Sequence, residues 1–81
     1  MSNHELRKEA HDVDVTVWVG KAGPNAVLEE LKDQLQDRKL VKVKFHRSSQ
    51  AGTTVEEMAA ALAEQAGAEV VDTRGNTAVF H

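Results

Sequence analysis

The sequence predicts an α/β fold with packed helices and a mixed four-stranded sheet, in the order α-β-α-β-α-β-β. Segments rich in β-branched residues alternate with longer segments whose apolar residues recur at helical spacing. The last two strand-like segments are separated by a short turn that contains Gly-Asn. Strands joined through a helix run parallel, whereas a hairpin is antiparallel, so the sheet is expected to be mixed.

The first half of the chain predicts a short helix, a strand and a longer helix. Residues 4–11 have the spacing of a short helix, and residues 15–19 are a β-branched strand. Residues 25–37 form the longer helix, for which Asn25 is a good N-cap, although Pro24 could instead be the first helical residue. The apolar stripe of this helix comprises Val27, Leu28, Leu31 and Leu35.

The second half predicts a strand, a helix and a hairpin. In residues 40–45 apolar positions alternate with Lys42 and Lys44, so the two lysines are expected to face solvent. In residues 54–66, Thr54 followed by Glu57 is the pattern of a capping box. The other expected features are a C-terminal cap at Gly67, strands over 68–72 and 77–80, and a turn over 73–76.

Length and composition narrow the possible functions. The 81 residues are expected to form one domain, 1–81, and the absence of cysteine excludes disulfides and cysteine-based zinc sites. No serine, carboxylate or histidine arrangement matches a catalytic or metal-binding pattern, so we expect neither an enzyme nor a cofactor. The N-terminus lacks a secretory signal and the apolar runs are too short to span a bilayer, which predicts a cytoplasmic protein. We also expect a monomer.

Basic residues are concentrated in one stretch although the net charge is −3. Residues 38–47 contain five basic side chains and no acid, whereas residues 48–81 contain five acids and one basic residue, Arg74. A local positive field can attract a polyanion while the net charge stays negative. Lysines at alternate positions of a strand are also compatible with a merely solvated face.

The glycine corner, Gly20-Lys21-Ala22-Gly23, joins the first strand to the second helix. Glycine permits sharp turns and close backbone approach, and a helix start offers unpaired N–H groups, so such a corner suits a phosphate. Two glycines alone are more typical of a tight strand-to-helix turn than of a ligand site. Lys21 at the tip, the adjoining helix and the nearby basic strand favour a ligand. Neither a P-loop nor a dinucleotide fingerprint is present.

Trp18, Arg74 and His46 are secondary candidates. Trp18 could stack on a base, but the favoured interpretation is that it packs beneath the first helix, because large apolar rings are usually buried. Arg74 lies at a hairpin tip, where most arginines only solvate the surface. His46 could add to the basic surface, and a role as metal ligand or general base is not indicated.

The chain resembles the CRM domain family, named for chloroplast RNA splicing and ribosome maturation, and specifically its YhbY-like single-domain branch. The matching segments cover nearly the whole chain: Leu6-Arg7, Ala10-His11, Val17 to Gly23, Leu40 to Lys44, Ala66-Gly67-Ala68 and Gly75. The resemblance implies RNA binding without catalysis, a KH-like GxxG loop, and a topology similar to the C-terminal domain of bacterial translation initiation factor three. It also implies a ribosomal or precursor RNA, in or near the large-subunit precursor, as partner.

The primary hypothesis is therefore an RNA-binding protein that holds the phosphate backbone at the glycine corner and the adjacent basic strand. The expected RNA-binding residues are Gly20, Lys21, Ala22, Gly23, Asn25, Lys42, Lys44 and Arg47. Replacing either glycine by Asp is expected to abolish binding and to leave the fold intact. The alternative is a protein-interaction module whose acidic C-terminal half docks on a ribosomal protein or an assembly factor.

Overall fold

The computed structural model describes residues 8–47 and 52–81, and their helices and strands follow the predicted order. Of the predicted first helix over 4–11, residues 8–10 are helical, His11 is in a turn, and residues 4–7 lie outside the described residues, as do residues 48–51 between the second strand and the last helix. The elements are β1 (Val15–Val19), a 3₁₀-helix (Pro24–Val27), α1 (Leu28–Asp37), β2 (Val41–Phe45), α2 (Val55–Ala66), β3 (Val70–Arg74) and β4 (Thr77–Phe80).

The four strands form one mixed sheet in the order β1-β2-β4-β3. β1 pairs with β2 in parallel, and β4 pairs antiparallel with β2 on one side and β3 on the other. β1, β2 and β3 therefore run in the same direction and end at the same edge of the sheet. This carboxyl edge carries the loop that contains the glycine corner.

One face of the sheet carries the main core. Alternate residues of β1, β2 and β4 are fully buried there against the two helices, because side chains of a strand point to opposite faces in turn. The largest buried side chains of this core are Phe45, Phe80, Leu31 and Leu62. The predicted apolar stripes of both helices contribute to it, with Val27, Leu28, Leu35 and Ala66 partly buried at its margin.

The residues that the structure describes cover the opposite face of the sheet at only one end. A small cluster of Ala10, Leu40 and Val79, with Val13 and Val71 packed against it, lies at this end. The rest of this face, which we call the open face, carries Trp18, Lys44, Thr77 and Arg74 along the carboxyl edge. The short N-terminal segment thus shields the far end of the sheet and leaves the edge next to the glycine corner accessible.

The second helix begins differently from the Asn25 N-cap prediction, which is wrong. Pro24 occupies the first helical position, Gly23 is the N-cap of a four-residue 3₁₀ turn, and the α-helical residues begin at Leu28. The pyrrolidine ring presets the φ angle that a helix start needs, so the chain turns one residue before Asn25. The alternative, with Pro24 as first helical residue, is correct.

Side-chain and backbone bonds fix the remaining helix ends. Thr54 accepts a hydrogen bond from the Glu57 N–H at 3.1 Å, as predicted, but the Glu57 carboxylate accepts from the Thr53 hydroxyl at 2.9 Å. Gly67 caps α2 in the left-handed conformation, with φ of 69°. The Ala68 N–H donates to the Ala63 carbonyl at 2.8 Å, so Ala68 belongs to the end of the helix. β3 accordingly begins two residues later than predicted.

The final hairpin has a shorter turn than predicted. Only Gly75 and Asn76 separate β3 from β4, and Gly75 has a φ of 56° that suits a two-residue hairpin turn. Thr73 and Arg74 are therefore strand residues rather than turn residues. No helix in the described part of the chain is long and apolar enough to cross a membrane.

Candidate nucleic-acid interface

The glycine corner is an exposed turn at the carboxyl end of β1. The Gly23 N–H donates to the Gly20 carbonyl at 3.0 Å and closes the turn, while Lys21 and Ala22 are exposed at its tip. Within the described ranges, the N–H groups of Gly20, Lys21 and Ala22 make no hydrogen bond to the protein. These three N–H groups are available to an anionic ligand, whereas the N–H of Gly23 already donates to Gly20.

The two glycines of the corner meet different requirements. Gly23 has φ of 88° and ψ of 175°, a conformation that essentially only glycine adopts without strain. Gly20 does not have a positive φ, and a Cβ atom built there meets nothing within 4 Å. A side chain at position 23 is therefore strained, whereas position 20 accommodates a Cβ atom. The backbone thus supports the expectation that an Asp leaves the fold intact more strongly for Gly20 than for Gly23.

The helix contributes less to the corner than its sequence predicted. Pro24 has no N–H to offer, the Ala26 N–H is used by the Gly23 carbonyl at 3.3 Å, and α1 begins only at Leu28. The positive end of the α1 dipole acts over the first helical turn, so it lies a full 3₁₀ turn beyond the corner. Asn25 is exposed beside the corner, and its side chain does not cap the helix.

A row of side chains crosses the sheet next to the corner. Trp18 is opposite Lys44 in the β1–β2 register, Lys44 is opposite Thr77, and Thr77 is opposite Arg74. We call these four residues the carboxyl-edge row. Because directly opposed residues point to the same face, the row spans all four strands on the open face. It places an aromatic ring and two cations in one line.

Trp18 is exposed, and the prediction that it packs beneath the first helix is wrong. Its side chain has 63% of its surface accessible, whereas Val17 and Val19 on either side of it are fully buried. Strand alternation directs it away from the main core. Ala10, the last of the helical residues 8–10, packs with Leu40 and Val79 instead, at the covered end of the same side of the sheet.

The predicted strand lysines lie on the open face together. Lys44 is exposed and lines a pocket with Trp18, Val19, Gly20 and His46. Lys42 is half-buried and lines a second, polar pocket, which also contains His11, Asp72, Arg74 and Thr77. Lysines 42 and 44 thus connect the pocket beside the glycine corner to the basic tip of the hairpin.

Among the described residues, the open-face cations Lys42, Lys44 and Arg74 form no ion pair within 4 Å, although Asp72 lines the same pocket as Lys42 and Arg74. In residues 8–47 and 52–81 the ion pairs are Lys39 with Glu9 at 3.0 Å and Lys32 with Glu29 at 3.9 Å. The Asp72 carboxylate accepts a hydrogen bond from the Thr73 N–H at 3.0 Å. Lys39, part of the predicted basic run, is therefore paired, whereas Lys42 and Lys44 remain available to a ligand.

The structure brings most predicted residues together and adds others. The glycine corner and Lys44 meet at one pocket, and Lys42 lies one row further along the sheet. Arg47 is exposed just beyond β2, and no contact ties it to the pocket. Sequence reasoning set aside Trp18 and Arg74, although strand alternation and the two-residue turn together place them in the carboxyl-edge row.

No group of three or more His, Cys, Asp or Glu side chains in the described residues could hold a metal ion. The histidines accordingly lie apart: His11 and His46 line different pockets on the open face, and the His81 Nδ1 atom is 3.0 Å from the Lys39 carbonyl oxygen. The chemical groups concentrated at this edge of the sheet are backbone donors, ammonium and guanidinium groups, and an indole ring.

Comparison with known proteins adds a family assignment and a matching fold. The family model of the CRS1 / YhbY (CRM) domain matches residues 2–81. "Probable RNA-binding protein MJ0652" from Methanocaldococcus jannaschii is 39% identical over 71 residues, which are 88% of this chain and 53% of that protein. The chain therefore spans about half the length of this curated relative.

A solved structure is also similar over nearly the whole chain. The solution structure of the hypothetical protein SAV1595 from Staphylococcus aureus, described as a candidate RNA-binding protein, superimposes with a TM-score of 0.76. The two sequences are 26% identical, and the match covers 98% of this chain and 81% of the other. The mixed four-stranded sheet and its helices thus have a counterpart of known structure.

Proposed function

The chain belongs to the CRS1 / YhbY (CRM) domain family, and we propose that it binds RNA through the glycine corner and the open face. The observation that carries this proposal is the exposed turn whose Gly20, Lys21 and Ala22 N–H groups make no bond to the described protein. Backbone N–H groups and an ammonium group are standard partners of phosphate oxygens. The names of the relatives point to the same class of ligand.

In the proposed complex the corner works as a KH-like GxxG loop. A phosphate lies against the free N–H groups, and the Lys21 ammonium adds a full charge at the exposed tip. Lys42 and Lys44 extend the contact along the open face, with Asn25 and Arg47 at its margins. In this proposal the sheet and helices resemble the C-terminal domain of bacterial translation initiation factor three, and the target is ribosomal or precursor RNA of the large subunit.

The salt dependence of binding tests the role of the open-face lysines. The double variant Lys42→Gln/Lys44→Gln is titrated with a single-stranded RNA of about 10 nucleotides at several salt concentrations. Each lost phosphate contact lowers the slope of log K against log salt by about 0.7 for single strands. Loss of both contacts is therefore expected to weaken binding and to flatten the slope by about 1.4.

The matched control is Lys32→Gln. Lys32 lies on α1, which packs on the opposite face of the sheet, and its nearest acid is Glu29 at 3.9 Å. This variant is expected to keep the wild-type slope. Equal slopes for all three proteins would contradict binding along the open face.

The protein-docking alternative is separated by pull-down after ribonuclease treatment. If RNA carries the association, co-purifying partners are lost when the RNA is digested. Partners that persist would favour docking through the acidic C-terminal half. Crosslinking in cells followed by sequencing of the attached RNA tests the target, and reads concentrated outside ribosomal precursors would contradict the proposed one.

A further inference from the structure

The exposed indole ring of Trp18 needs an explanation that the phosphate contacts do not supply. It is the only tryptophan of the chain, and 63% of its surface is accessible. Its strand neighbours Val17 and Val19 are fully buried, so its position is set by a well-packed strand and not by a loose loop. A large aromatic ring exposed on a well-packed strand is typical of a surface that binds a flat partner.

A pocket adjoins this ring and shares a wall with the glycine corner. It has a volume of about 310 Å³ and is lined mainly by apolar atoms of Trp18, Val19, Gly20, Lys44 and His46. This volume is at the lower end of the range of about 300–1,000 Å³ that is usual for small-ligand pockets. Gly20 therefore contributes both to the pocket wall and to the corner with free N–H groups.

We propose that this pocket takes one unpaired nucleobase, stacked on Trp18, whose phosphate lies at the glycine corner. The inference rests on the proposed function and names the form of RNA that the site selects: a single strand or a loop, not a continuous duplex. A base in a duplex is already stacked on both sides, so it cannot lie flat on a protein ring.

The surroundings of the ring favour a nucleotide over a protein side chain. Lys44, directly opposite Trp18 in the strand register, places an ammonium group beside the pocket. The free N–H groups of the corner start at Gly20, on the pocket wall. A ligand that satisfies both features combines a flat apolar ring with an adjacent anion, which is the chemistry of a nucleotide.

Fluorescence of Trp18 tests the inference directly, because the chain has one tryptophan and no tyrosine. The full-length protein is titrated with a single-stranded RNA of about 10 nucleotides and, separately, with the same sequence as a duplex. The single strand is expected to quench the emission, with the same midpoint as an independent anisotropy titration. The duplex is expected to bind more weakly and to leave the emission nearly unchanged.

Two substitutions of Trp18 distinguish stacking on an aromatic ring from contact with an apolar side chain of any kind. Trp18→Leu removes the aromatic face at an exposed position, so the fold is retained, and affinity for the single strand is expected to fall about 5- to 150-fold, the usual value of one stacked base. Trp18→Phe keeps an aromatic face and is expected to retain most of the affinity. Neither change is expected to alter duplex affinity.

Three results would overturn the inference. The first is a wild-type protein that binds the single strand without a change in Trp18 emission, together with a Trp18→Leu variant of wild-type affinity. This result would show that no base stacks on Trp18, while the proposed RNA binding would stand. Equal weakening of single-strand and duplex binding in Trp18→Leu would mean that the ring stabilises the structure of the binding surface and does not contact a base. A wild-type protein that binds neither RNA overturns the proposed function as well.

Discussion

Two glycines three positions apart can serve different purposes, and the backbone angles distinguish them. Gly23 is held at φ of 88° and ψ of 175°, whereas Gly20 has no positive φ and open space around its missing Cβ. The sequence places both glycines in the same motif. Only the backbone geometry shows that the turn requires glycine at position 23, whereas the space beside Gly20 is open.

Alanine substitution at each position measures this difference in stability. Gly23→Ala is expected to lower the free energy of unfolding by about 1–3 kcal/mol, the usual cost of a backbone conformation outside the allowed regions. Gly20→Ala is expected to be neutral or to raise it by up to about 1 kcal/mol, because alanine narrows the unfolded ensemble. Urea denaturation of both variants gives the two values. Equal losses would show that Gly20 is also conformationally restricted.

Trp18 illustrates what single residues in the sequence do not reveal. Strand alternation correctly places it on the face away from Val17 and Val19, but the sequence does not say how much of that face is covered. Coverage depends on where the helical residues before β1 pack. They lie over Leu40 and Val79, which is a long-range contact that no local pattern encodes.

At the scale of elements, the attachment of α1 to the edge strand β1 positions the corner. The Gln34 side chain donates to the Thr16 carbonyl at 3.3 Å and accepts from the Thr16 hydroxyl at 2.5 Å. Both bonds are partly buried, and Thr16 lies on the edge strand β1, where the pairing with β2 shifts register between Val15 and Val17. Gln34 thus satisfies part of the sheet edge and fixes the helix against the strand that leads to the corner.

Removal of this attachment is expected to be costly for a residue on a largely exposed helix. Gln34→Ala loses the two bonds to Thr16, each contributing about 0.5–1.5 kcal/mol, together with an exposed bond to the Glu30 carboxylate at 3.3 Å, so the free energy of unfolding should fall by about 1–3 kcal/mol. Gln36→Ala, on the exposed side of the same helix, is the control and should change it by less than about 0.5 kcal/mol. Indistinguishable denaturation midpoints for the two variants would contradict this assignment.

Most elements could be predicted from local patterns, and their boundaries less well. Alternation fixed β2, and the apolar stripe and Thr54 cap fixed α2. The start of α1 was harder, because Asn25 is a good cap and Pro24 a good first residue, and these preferences compete within adjacent positions. The start of β3 depended on the helix-ending bond of Ala68, which the strand pattern does not contain.

At the scale of the whole molecule, the strand order gathers basic side chains on one face. The net charge is −3, yet Lys42, Lys44 and Arg74 lie on the open face, where Asp72 is the acid that lines the same pocket as Lys42 and Arg74. The sequence distribution of charge predicted a basic segment. The strand order places that segment, on β2, close to the distant hairpin tip, at the end of β3, because only β4 separates the two strands.

The central claim is that an RNA phosphate lies against the open Gly20 side of the corner. The variant Gly20→Asp introduces a carboxylate there, at a position where an added Cβ atom meets nothing within 4 Å. Ala60→Asp is the matched control: it adds the same charge at an exposed position of α2, away from the corner.

The most direct measurement is the affinity of these two variants and the wild type for the same single-stranded RNA, at one fixed salt concentration, after circular dichroism has established that each is folded. Repulsion at the corner predicts that Gly20→Asp binds at least about tenfold more weakly, a loss of about 1.4 kcal/mol, while Ala60→Asp stays close to the wild type. A folded Gly20→Asp protein with wild-type affinity would contradict the account.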